Sequence, residues 1–145
     1  MVRFMREHSV IHLVASYQRF AEAMFEKMSR PADVKARKNV FQTVDEAGRL
    51  WNSVCGKGYE QMLSAQELSS LTHLFQQRHL LEHKGGLVDQ EYLDKSGDRT
   101  YRVGQRIVIQ DADVLRLADL VTRLAAGIRK VVPGGHQGQS LNGKS

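Results

Sequence analysis

One cysteine, two prolines and a single tryptophan in 145 residues are the first constraints this sequence offers. The lone cysteine, Cys55, leaves no disulfide framework and no cysteine-based metal site, and on an apolar helical face it reads as a small core residue. No apolar run approaches the roughly 18 residues that a membrane-spanning helix needs. Arg3, Arg6 and Glu7 stand where a signal peptide would place its apolar core, so a cytoplasmic protein with no membrane partner is expected. What is present belongs to a globular domain: 41% hydrophobic and 26% charged residues are far from a disordered composition. This length suits one ordinary core. A net charge of +5 fits an anionic partner and a plain basic surface equally well.

Helical periodicity dominates the chain. Val10, Leu13, Val14, Tyr17, Phe20, Ala21, Met24, Phe25 and Met28 recur at three- and four-residue spacing, one wide apolar face on a helix over about residues 4–28. Pro31 ends that helix or opens the next. A second helical pattern from Val40 to Cys55 carries Trp51 as its core anchor and stops at Gly56 and Gly58. Tyr59 to Leu63 reads as one short helical turn. Ser64 and Glu67 are spaced as a capping box, so a third helix starts there, buries Leu68, Leu71, Leu74, Phe75 and Leu81, and stops at Gly85 and Gly86. Leu87 to Lys95 forms a short helix or turn. Beyond the Ser96, Gly97 and Asp98 turn, Tyr101, Val103, Ile107 and Ile109 alternate with polar residues in a short extended piece kinked at Gly104. A last helix opens on Asp111 and Asp113, carries Val114, Leu117, Leu120, Val121, Leu124 and Ile128, and is closed by Pro133. The expected fold is all-α, an up-and-down four-helix bundle with a short additional helical turn and a small extended segment. It forms one domain over residues 1–132, with a flexible glycine-rich tail over 133–145.

Polar chemistry gathers at the end of the third helix, in Arg78, His79, Glu82, His83 and Lys84. Residues four apart share a helix face, so His79 pairs with His83 and Arg78 with Glu82. Arg78 and His83 are five apart and rotated by about 140°, so they face one groove only from flanking directions, with a second helix as the opposite wall. Such a set suits RNA strand scission without a metal. A histidine, with an ordinary pKa of about 6.5, takes the 2′-hydroxyl proton or protonates the leaving 5′-oxygen, and an arginine fork spreads the extra charge on phosphate. Spacing by itself is unspecific in this basic chain, because Arg3 with His8 repeats it and Arg6 with His12 nearly does. Histidines four apart on a helix can also share a zinc, yet His73 and Glu82, the nearest further ligands, lie on other faces. A purely structural Arg78–Glu82 pair with exposed histidines is the plainest reading.

The stretch from Phe75 to Asp98 runs through Arg78, His79, His83, Gly85, Gly86, Val88 and Asp89, and is followed by Tyr101 to Ile107 and a closing amphipathic helix. It resembles the HEPN family of small helical proteins, in particular bacterial members whose arginine–histidine helix precedes a Gly-Gly-x-Val-Asp turn. The family motif is an arginine, four to six residues beginning with a polar one, then a histidine. Arg78, polar His79 and His83 match it in place, whereas Lys84 stands where an asparagine is frequent. The likeness covers about residues 39–130 and, more loosely, the first helix. It implies a helical bundle that forms a homodimer with two motifs facing across a cleft. It also implies metal-independent endoribonuclease activity, with Arg78 and His83 catalytic, His79 and Glu82 supporting, and no metal or cofactor. The products would be a 2′,3′-cyclic phosphate and a 5′-hydroxyl. RNA is the implied partner, and an antitoxin or a larger defence complex a further one, since such proteins often serve as toxins or antiviral effectors. The alternative is a non-catalytic HEPN-like module that binds RNA, a nucleotide or a protein partner.

Overall fold

A computed structural model describes residues 2–132; Pro133 and the tail expected after it lie outside the described residues. Its regular elements are α1 (Arg3–Glu26), a 3-10 turn (Val40–Gln42), α2 (Val44–Cys55), a second 3-10 turn (Tyr59–Gln61), α3 (Ala65–His83), α4 (Gln90–Ser96) and α5 (Asp111–Val131). The class is all-α, a helical bundle.

Three long helices set its frame. Arg6 Nε donates to Asp111 Oδ1 at 2.7 Å where α1 and α5 begin, and the Arg129 guanidinium lies 5.0 Å from the Phe20 ring centroid toward their ends. These two helices therefore run side by side in the same direction. Opposite to both runs α3: Phe75 meets Tyr17 midway, with ring centroids 6.2 Å apart, and Glu67 at its start meets Arg123 of α5 at 2.5 Å. The predicted stripes are the core, with Val10, Val14 and Ala21 of α1, Leu71 and Phe75 of α3, and Leu117, Leu124 and Ile128 of α5 all buried. Trp51 fixes the shorter α2. It is fully buried, edge-on to Phe25 at 5.8 Å and tilted against Phe41 at 5.7 Å.

Three departures from simple periodicity have local causes. Helix α1 stops at Glu26, well before Pro31. The Lys27 and Met28 amides turn back onto the Met24 and Phe25 carbonyls, and Arg30 Nη1 donates to the carbonyls of Phe25 (3.0 Å) and Met28 (3.3 Å). A side chain thus satisfies the orphan carbonyls of the last turn, and Pro31 instead opens a turn closed by the Val34 amide. The second apolar pattern is also interrupted: Asn39 takes a left-handed φ of 63°, and extended Thr43 separates the 3-10 turn from α2 proper. The extended piece finds its partner just after α3, where the Val88 amide donates to the Gln105 carbonyl and the Gly104 amide donates back to Val88, both at 2.8 Å. One antiparallel bridge, Leu87 with Arg106, completes it. No helix among the described residues is long and apolar enough to cross a membrane.

Candidate functional site

The site is built on the C-terminal half of α3. Its start is fixed by the predicted capping box: Ser64 Oγ accepts from the Glu67 amide at 3.1 Å, and the Ser64 amide donates to Glu67 Oε1 at 2.9 Å. The Arg123 hydrogen bond and the Ser64 amide hold the Glu67 carboxyl down at about 2. Its end is fixed by Gly85 and Gly86, both left-handed at φ 63° and 77°, with the Lys84 and Gly86 amides donating to the Leu80 carbonyl at 2.9 Å. Gly86 is needed on a second count. A Cβ there would lie 3.0 Å from the Arg106 guanidinium, which bonds both Glu7 oxygens (2.7 and 3.2 Å) and so ties the end of α3 to the start of α1.

Arg78 is 5% exposed, an unusual degree of burial for a charged side chain. Nη1 donates to Glu82 Oε1 at 2.7 Å, one helical turn on, as the shared face predicts. Nη2 donates to Gln42 Oε1 at 3.1 Å; Gln42 in turn donates to Gln18 Oε1 at 2.6 Å, and Gln18 donates to Asn39 Oδ1 at 3.1 Å. Buried Nε has no partner within the chain. The guanidinium is therefore oriented by two side chains and keeps one donor unused.

His79 and His83 share a face, with ring centroids 4.8 Å apart. His79 is half-buried, and burial, then the charges of His83 and Arg78, push its pKa below the ordinary histidine value. His83 is exposed on the outer side of the pair. A groove of about 350 Å³ opens over Arg78 and His79 and is walled by Arg37, Asn39, Gln42, Gln76 and Lys95; His83 is not part of its lining. Of the four residues singled out in the sequence, Arg78 and His79 thus meet in the groove, while Glu82 bridges to Arg78 and His83 stands beside His79.

The wall formed by residues 37–43 was not legible beforehand. Arg37 and Lys38 read only as a basic run, and no spacing links Gln42 to Arg78, 36 positions away. Each cation of the groove faces a carboxylate: Arg37 meets Glu46 at 2.6 Å, Arg78 meets Glu82 at 2.7 Å and Lys95 meets Glu91 at 3.1 Å. No group of three metal-ligating side chains occurs among the described residues. The exposed large hydrophobics Val2, Phe4, Met5, Leu87, Val103, Val108 and Leu115 all lie toward the end of the bundle where α1 and α5 begin and α3 finishes with His83. Compared with known proteins, the chain matches no family model, no curated protein and no solved structure.

Proposed function

We propose that the protein is a metal-independent endoribonuclease of the toxin or defence-effector kind, acting on RNA in the cytoplasm from a site that two copies complete. The single observation that carries this reading is Arg78, a buried guanidinium oriented by Glu82 and Gln42, with a donor to spare beside a histidine pair. Such a preorganised cation stabilises charge that develops on phosphorus at little reorganisation cost. In the reaction, the ribose 2′-oxygen bonds to phosphorus, its proton passes to one His83, the bond from phosphorus to the 5′-oxygen breaks, and the second copy's equivalent histidine supplies the proton that the leaving oxygen takes up. The apolar end around His83 supports a second copy there, because exposed apolar residues gathered on one face favour association.

A second reading, a non-catalytic module that binds RNA, a nucleotide or a protein partner, draws on two observations: the groove cations are already paired, and His83 stands outside the groove. Incubation of purified protein with single-stranded RNA and a chelator separates the two. The expected result is chelator-resistant cleavage to 2′,3′-cyclic phosphate ends, reduced about 10²-fold or more in Arg78→Ala and in His83→Ala. Cleavage untouched by both substitutions would sink the assignment, and RNA binding without cleavage would favour the module. Growth arrest on expression, relieved by either substitution, checks the same point in cells.

A further inference from the structure

We infer that the groove between residues 37–46 and α3 is a nucleobase pocket, in which the amides of Asn39 and Gln76 read the edge of one unpaired RNA base adjoining the phosphate at Arg78. This rests on RNA being the ligand, as in the function proposed above. A phosphate track needs unbalanced positive charge, and the groove lacks it, since Arg37, Arg78 and Lys95 each face a carboxylate. Neutral amides remain. The Gln76 amide makes no hydrogen bond within the described residues, and Asn39 uses only its oxygen, which accepts from Gln18. Together they offer free donors and an acceptor, the combination by which unpaired bases are distinguished on their Watson–Crick edges.

The chain holds these groups deliberately. Asn39 is the one non-glycine residue with positive φ among the described residues, a conformation that persists only where its surroundings impose it. Its bond from Gln18 sets the amide plane, and Gln18 is itself bonded by Gln42, the residue that orients Arg78. One relay therefore positions both the base-reading amide and the phosphate-binding guanidinium. His79, with its pKa lowered by burial, supplies a neutral ring at the groove wall against which a base can stack. A volume of about 350 Å³ admits a base and excludes a duplex.

The test uses fluorescence anisotropy with four fluorescently labelled 2′-O-methyl hexamers of A, C, G or U, which cannot be cleaved because the attacking hydroxyl is blocked. The wild-type chain is expected to prefer one base by about tenfold, the discrimination that one or two hydrogen bonds supply. Asn39→Gly, which keeps the left-handed backbone without strain, should bring the four affinities within about twofold of one another, and Gln76→Ala should narrow them as well. Equal or absent binding of all four by wild type overturns the pocket, as does a preference that Asn39→Gly leaves intact. Cleavage of ordinary RNA, compared with Arg78→Ala, judges the nuclease separately: base discrimination without cleavage keeps the pocket and removes the enzyme.

Discussion

Replacing Glu82 by glutamine and Arg78 by methionine, singly and together, tests whether the buried arginine serves the fold or the chemistry. Breaking a fully buried ion pair by removing one partner costs about 3–5 kcal/mol. Glu82 is 36% exposed, however, so solvent screens its half of the pair and reduces the expected cost of Glu82→Gln to about 1–2 kcal/mol. Arg78→Met keeps the apolar stem among Leu74 and Phe75, removes a charge that is 5% exposed, and forfeits the bond to Gln42, worth about 1 kcal/mol. Relief from desolvation offsets that loss, so stability should stay within about 1 kcal/mol of wild type. In the Arg78→Met background the glutamate no longer has a charge to neutralise, and adding Glu82→Gln should cost almost nothing, a coupling of about 1–2 kcal/mol. Urea unfolding of the four proteins measures this cycle, and RNA cleavage is assayed in parallel. The expected outcome is a stable but inactive Arg78→Met. Should that variant lose more than about 3 kcal/mol, the guanidinium would be structural, and the case for its being held ready for phosphate would fail.

Two further outcomes follow from the geometry. With the His79 pKa lowered in the folded chain, the unfolded chain binds more protons in the window between that value and about 6.5; stability should therefore rise with pH through the window and be lost as pH falls below it, and urea midpoints for His79→Gln should show a flatter slope. A Cβ at Gly58 would meet the Gly48 carbonyl oxygen at 2.8 Å, a backbone atom that cannot easily move, so Gly58→Ala should cost about 1–3 kcal/mol. At Gly127 of α5 the obstacle is the Met62 thioether at 2.7 Å; a flexible side chain can swing aside and helix propensity improves, leaving Gly127→Ala within about 1 kcal/mol of wild type by thermal unfolding.

Most of the frame was legible in the sequence because burial and periodicity are the same fact on a long amphipathic helix. Leu117, Leu120 and Leu124 could hardly be anything but one face, and the capping box and glycine pair marked both ends of α3 to within a residue. Side-chain rescue of a terminus was not legible. Nothing local says that Arg30 will reach back to the Phe25 carbonyl, so the proline looked like the natural stop for α1. The Val40 to Cys55 stripe hid its break for a related reason: a 3-10 turn followed by a helix keeps apolar residues on nearly the same side. Within the site, pairings four apart were readable and long-range ones were not. Arg78 with Glu82 and His79 with His83 follow from helix geometry, whereas Gln18, Asn39 and Gln42 join Arg78 only through tertiary packing, and amides carry no charge or apolar pattern that would flag them.

The parallel course of α1 and α5 has a practical side. Chain joined ahead of Arg3 emerges beside Phe4, Met5 and the end of α3, whereas chain joined after Val132 emerges at the opposite pole, near Phe20 and Glu26. A purification tag or fusion partner on the amino terminus would crowd the face on which a second copy is expected to sit, and would mimic an inactivating mutation; the same tag on the carboxyl terminus leaves that face clear. Comparing the two fusions for self-association and cleavage turns the direction of two helices into a way of locating the working surface without altering any residue of the chain.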